Sequence, residues 1–302
     1  MGDLRRDLLA AYSIGFIILI AVLLVSASTV AILLYQGEQS EQSPTIVKAT
    51  WGKAVEVDYI GRLADGRVFD TSLWTVASND ALYPKSLSFT LRNQSSYTPL
   101  EFTIGSGQMI PGFERGVIGM VDGETKVIEI APADGYGELN LSRLEEIPLL
   151  ESIPVFEVLN ITEFIDEFSA APKVGLTVSD PRWGWPVSVL EVNNDANRVR
   201  IINSPVLGAE YKVYGNPEAT PSTGWYAEVV YFDSTANGGA GLIQVRHGLD
   251  ENDEGRVKGV GSFGSTFIVM EVSESENKIV LNYNSEVTGV TLYFTVTMVD
   301  IT

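Results

Sequence analysis

Two blocks of the chain carry the residue types from which a site could be built. Val55 to Ser72 reads V-E-V-D-Y-I-G-R-L-A-D-G-R-V-F-D-T-S. Pro99 to Val127 reads P-L-E-F-T-I-G-S-G-Q-M-I-P-G-F-E-R-G-V-I-G-M-V-D-G-E-T-K-V, and A-P-A-D-G-Y-G-E follows from Ala131 to Glu138. These blocks supply aromatic, aliphatic and glycine residues rather than an acid–base pair or a nucleophile. The chain has no cysteine and one histidine, His247, in the strand-like run L-I-Q-V-R-H-G-L-D. Disulfides, thiolate metal sites and a cysteine nucleophile are therefore excluded, and a histidine-based triad is disfavoured. Aromatic and aliphatic residues of this kind can line an apolar, aromatic-walled pocket.

The elements that must hold such a pocket are mostly strands. Val55–Tyr59 and Lys126–Ile130 alternate apolar with polar residues, the period of a half-buried strand, and Thr291–Ile301 is the clearest strand of the chain. Two short helices are predicted. One follows Pro111 and places Phe113, Val117 and Ile118 on one face. The other covers Ile161 to Phe168, where Asn160 followed by Glu163 forms a capping box. The fold class expected is α+β and mostly β.

The N-terminus differs in kind. Leu8 to Tyr35 is a run of 28 residues without a charge, longer than the roughly 20 that cross a bilayer core. It exceeds the roughly 7–15 residues of a secretory apolar region, so an uncleaved anchor is expected. Arg5 and Arg6 precede it, whereas Gln36 to Pro44 has two Glu and no Lys or Arg. The basic end stays in the cytoplasm, which sends the remainder of the chain outside the cell membrane. Three N-x-S/T triplets, at Asn93, Asn140 and Asn160, are compatible with that placement. A net charge of −19 argues against nucleic acid, whose phosphates need a basic face, and suits solubility in a salty or surface setting.

An internal repeat lies in the C-terminal half. Leu190 to Gly208 resembles Met270 to Gly289 at an offset of 80 residues, then 81, each copy a hairpin followed by an Asn-Ser-x-Val-x-Gly turn; two related β units are expected. Ile147-Pro-Leu-Leu-Glu-Ser-Ile-Pro-Val-Phe-Glu-Val-Leu is very apolar, and its two prolines make it a poor central strand. It reads either as an exposed surface for unfolded chains or as packing against a β unit. Trp183 and Trp185 allow the same two readings.

Residue for residue, the two blocks resemble the FKBP-type peptidyl-prolyl cis-trans isomerases. The resemblance rests on the V-x-Y-x-G strand with Tyr59, the Phe69–Asp70 pair after a D-G turn, Gly105 through Glu114, and Tyr136 in the Y-G loop. It implies an FKBP-like antiparallel sheet wrapped on a short helix, with Phe294 of the last strand as a further wall. Interruption of the domain after Y-G-E is similar to SlyD-like isomerases, and Asn284 to Gly289 looks like their return turn with Ser in place of His. The organisation implied is a tail and anchor over 1–36, a linker over 37–44, a split isomerase domain over 45–140 and 284–302, and an inserted β-rich domain over 141–283. Three wall positions differ from the family's commonest residues: Phe113 stands where Trp is frequent, Leu100 where Phe is, and Met109 where Val is.

The resemblance implies prolyl isomerisation with no cofactor and no metal, on unfolded or proline-containing polypeptides, with chaperone-type binding by the insert. Tyr59, Phe69, Asp70, Ile110, Tyr136 and Phe294 carry catalysis, and Leu100, Met109 and Phe113 contact substrate. The Ile110 N–H and the Tyr136 hydroxyl would hold substrate carbonyls, while Asp70 would orient Tyr59 or face the rotating carbonyl. Elementary chemistry agrees. Rotation about a prolyl amide loses resonance over a barrier of about 18–20 kcal/mol, and water at the polarised carbonyl favours the planar form. A dry pocket removes that favour without any proton transfer. The alternative is a peptide-binding module that keeps the pocket without turnover.

Overall fold

The computed structural model describes residues 46–261 and 264–302, together with Ser26. In chain order, β1 (Ala54–Arg62), β2 (Val68–Thr71), α1 (Trp74–Ala77), β3 (Leu100–Thr103), α2 (Pro111–Gly116) and β4 (Thr125–Ile130) come first. Three short strands follow, β5 (Leu144–Ile147), β6 (Leu150–Ile153) and β7 (Phe156–Leu159), and then α3 (Ile161–Phe168). Next are β8 (Thr177–Ser179), β9 (Pro186–Asn193), β10 (Arg198–Asn203), β11 (Glu210–Val213), β12 (Trp225–Asp233) and β13 (Leu242–His247). The chain closes through β14 (Lys258–Val260), β15 (Thr266–Ser273), β16 (Lys278–Asn282) and β17 (Leu292–Ile301). The expected linker and nearly all of the expected anchor lie outside the described residues. Among those described, no helix is long and apolar enough to cross a membrane.

The first sheet runs β2-β1-β17-β4, with β3 also on β1. Its two longest strands come from opposite ends of the described chain and pair antiparallel from Val55↔Ile301 to Arg62↔Tyr293. Burial alternates along both, over residues 54–58 and 292–298. Val55 and Val57 of β1, and Leu292, Phe294, Val296 and Met298 of β17, face one core with Ile128 and Ile130 of β4. Helix α2 begins with Pro at its first turn, where the missing N–H costs no helical bond. It lies close on β4: a Cβ at Gly116 would stand 2.4 Å from Ile128 Cγ2, so only glycine admits this approach.

The segment between β4 and β17 builds a second hydrophobic core. Among the described residues it holds three four-stranded sheets, β7-β10-β9-β8, β11-β12-β13-β6 and β14-β15-β16-β5. Each is a three-strand meander completed by one short strand from Leu144–Leu159. The central hairpins turn through Asn197, Asn237 and Asn277, all left-handed at φ 49°, 52° and 51°, a conformation asparagine tolerates best after glycine. The strand entering each turn bulges at Leu190, Val230 or Met270. Turn and bulge thus recur every 40 residues. The two related units expected from sequence are the first and third of three. The second escapes sequence comparison because its turn, between the paired residues Asp233 and Leu242, is four residues longer than those at Asn193–Arg198 and Ser273–Lys278.

The apolar segment from Ile147 packs rather than projecting. Pro148 and Pro154 fall between its three strands, where no ladder donor is needed. Ile147, Leu149 and Val155 are buried, as are Trp183 and Trp185, so the exposed-surface reading of both stretches is corrected to core. Helix α3 carries the capping box expected, with reciprocal bonds between Asn160 and Glu163. His247 is structural: its Nδ1 accepts from Trp225 Nε1 at 2.9 Å, and its Nε2 faces Glu151 Oε2 at 3.3 Å. An indole N–H can only donate, so the imidazole proton sits on Nε2.

Candidate active site

Nine positions singled out in the sequence line one cleft of about 350 Å³: Tyr59, Phe69, Asp70, Leu100, Met109, Ile110, Phe113, Tyr136 and Phe294, joined by Gln108. They arrive from β1, β2, β3, the loop into α2, α2 itself, the loop after β4, and β17. Phe294 is the pivot. Its ring centroid lies 5.0 Å from Phe113, 5.4 Å from Phe69 and 6.1 Å from Tyr59, within the range of edge-to-face attraction. Phe102 packs behind Phe113 at 5.8 Å and, 2% exposed, belongs to the core.

The space for these rings depends on Gly61. It pairs with Phe294 across the sheet, and a Cβ there would lie 2.7 Å from Phe69 Cζ and 3.0 Å from Phe294 Cε1. Any larger residue would push both aromatic walls into the cleft.

The polar side is an ordered chain. The Tyr59 hydroxyl donates to Asp70 Oδ2 at 2.6 Å, and Arg92 Nη2 bonds Asp70 Oδ1 at 3.2 Å and the Thr71 carbonyl at 2.7 Å. Burial foremost, then the Asp70 charge, holds the Tyr59 phenol well above its ordinary value. The same two causes raise Tyr136, whose ring is half exposed at the rim.

Sequence reasoning missed Arg92, which lies in a long loop without periodicity, and three residues inside the quoted motifs. Gly61 was one. Glu114, 5% exposed, accepts from the N–H groups of Gly105, Gly107 and Met109 at 3.1, 3.0 and 3.4 Å, fixing the loop that leads to Ile110. Gln108 turns its carbonyl inward to Thr103 N and Ser106 Oγ. The Ile110 carbonyl accepts from Phe113 and Glu114 as α2 begins, and the Ile110 N–H takes no part in those bonds. Among the described residues no group of three or more His, Cys, Asp or Glu could hold a metal.

Comparison with known proteins places this architecture. A model of the FKBP-type peptidyl-prolyl cis-trans isomerases matches residues 47–158. The short-type peptidyl-prolyl cis-trans isomerase of Methanocaldococcus jannaschii is 31% identical over 161 residues, covering 53% of this chain and 87% of that protein. FK506-binding protein 2 of Yarrowia lipolytica is 34% identical over 97 residues, 32% of this chain and 53% of its own length. Peptidyl-prolyl cis-trans isomerase FKBP15-1 of Arabidopsis thaliana is 28% identical over 137 residues, 43% of this chain and 72% of its own. The chain belongs to the FKBP-type peptidyl-prolyl cis-trans isomerase family, a family of enzymes. The family match ends at residue 158, so β17, which completes the sheet and the cleft, lies beyond it.

Proposed function

We propose that the cleft around Phe294 catalyses rotation of X-Pro peptide bonds in polypeptides. One observation carries the reading: residues separated by more than two hundred positions meet as a single aromatic hollow with one ordered polar edge. A proline ring seated against Phe113 and Phe294 brings its amide into a space that water leaves, which raises the planar ground state relative to the twisted one. The Ile110 N–H and the Tyr136 hydroxyl hold flanking carbonyls. Asp70 is committed to Tyr59 and Arg92, which favours the role of orienting Tyr59 over facing the rotating carbonyl. No bond is broken and no proton moves. A protease-free assay of cis-to-trans conversion in a short Leu-Pro peptide tests this; absence of acceleration by the folded full chain would refute it.

The split domain over 45–140 and 284–302 and the insert over 141–283 form part of the same proposal, in the SlyD-like arrangement. Its support is the seam where the insert leaves and returns. Asn284 Nδ2 donates to the Asn140 carbonyl at 3.0 Å, and Gly289 N to the Gly137 carbonyl at 2.9 Å.

For chaperone-type binding, the surface we favour is on β12. Its bulge at Val230 interrupts alternation, and Val230, Tyr231 and Phe232 are 41%, 41% and 36% exposed in succession. Such a run suits transient contact with unfolded chains. Suppression of aggregation of a denatured client, weakened in V230S/F232S, is the expected result.

An extracytoplasmic placement with a membrane anchor over 8–35 rests on the uncharged run, Arg5 and Arg6, and the acidic body. Protection of that body from added protease in intact cells, where only an intracellular or shielded chain survives, would overturn the placement.

A further inference from the structure

We infer that Glu286, in the return turn of the insert, is a positioning residue for the active site, acting through the loop that carries Arg92. The inference rests on reading the Phe294 cleft as the isomerase site. Glu286 is nearly enclosed, its side chain 6% exposed. Its Oε1 accepts from Leu87 N at 3.2 Å and its Oε2 from Ser88 N at 2.7 Å. Arg67 Nη1 stands 3.5 Å from Oε1. A carboxylate held by two backbone N–H groups and a guanidinium fixes what it touches, because hydrogen bonds to a charged acceptor are shorter and stronger than neutral ones.

What it touches leads to the cleft. The stretch from Pro84 to Ser88 runs beside β2, with Val68 N bonded to the Pro84 carbonyl at 2.8 Å and Ser86 N to the Val68 carbonyl at 2.9 Å. The next residues of β2 are Phe69 and Asp70. Four residues beyond Ser88, Arg92 crosses back to bond Asp70 and the Thr71 carbonyl, its guanidinium 4.8 Å from the centre of the Tyr97 ring. The loop is therefore pinned at two ends: Glu286 at one, and Asp70 with Thr71 at the other. Through it, the segment re-entering from the insert bears on the Arg92–Asp70–Tyr59 chain.

A double-mutant cycle on the full chain tests this, reading kcat/KM on a Leu-Pro peptide for E286Q, R92A and the double variant. Glutamine keeps the shape while removing the charge and one acceptor. R92A is expected to lose about tenfold and E286Q about fivefold, and the double variant should fall no further than R92A alone, since groups acting along one path do not add. Hydrogen exchange at the Leu87 and Ser88 amides should quicken in E286Q. Losses that multiply, or wild-type kcat/KM in E286Q, overturn the inference. Should E286Q not fold, E286D keeps the charge, shortens the reach and carries the same expectation of non-additivity. Failure of the wild-type chain to isomerise would sink the underlying reading, whereas an active wild type with multiplicative losses sinks only this coupling.

Discussion

The Tyr59 hydroxyl lies 2.6 Å from Asp70 Oδ2, and its ring is walled by Phe113 and Phe294. Burial and the neighbouring carboxylate both disfavour the phenolate, so the hydroxyl remains a donor across neutral pH. We expect kcat/KM to be flat from about pH 7 to 9, with no tyrosine titration in that window. Y59F should lower it roughly tenfold by releasing Asp70. The proton is held more tightly in the folded than in the unfolded chain. Its contribution to stability is therefore complete below the ordinary tyrosine value of 10.0 and declines as pH rises beyond it. Alkaline denaturation of wild type against Y59F measures that term.

Gly61 sets the width of the cleft. G61A should cost about 1–3 kcal/mol of stability through overpacking and weaken peptide binding more than it slows turnover. Denaturant unfolding with peptide titration separates the two, and unchanged binding would show that the rings relax outward instead.

The sheets around His247 should weaken in acid. Burial depresses His247 below its ordinary value of 6.5, against the opposite pull of Glu151. The unfolded state therefore takes up a proton first as pH falls. Stability from this group is intact above 6.5 and is lost through the depressed folded value, at up to about 1.4 kcal/mol per pH unit. Protonation at Nδ1 would also remove the acceptor of Trp225. Tryptophan fluorescence of unfolding at successive pH values should show the decline, and H247Q should flatten it.

Leu149, 1% exposed between the two prolines, tests whether Ile147–Leu159 is structural. L149A should cost about 2–5 kcal/mol while leaving isomerase activity per folded molecule unchanged. A neutral effect on stability would return the segment to the surface.

The site was legible because its residues are constrained by chemistry that leaves a linear trace. Tyr59 and Phe69 sit at fixed places in motifs that resemble the family's, and Phe294 fits the place where the family's last strand supplies an aromatic wall. Arg92 left no trace, because a loop residue that reaches back to Asp70 obeys no period. The three related sheets between β4 and β17 were legible only in part. Hairpins with equal turns align by eye, but four extra residues before Leu242 shift the second copy out of register. The burial of Trp183 and Trp185 was equally hidden, since an aromatic pair between prolines reads the same on a surface as in a core that three sheets share.

The sharpest test uses Phe294, the wall contributed by β17. The isomerisation rate of a Leu-Pro peptide should be measured by a protease-free method with the wild-type full chain and with F294A, each shown to be folded by circular dichroism. An active wild type and a loss of about a hundredfold in F294A are predicted. A folded F294A that matches wild type would mean that catalysis takes place away from this cleft.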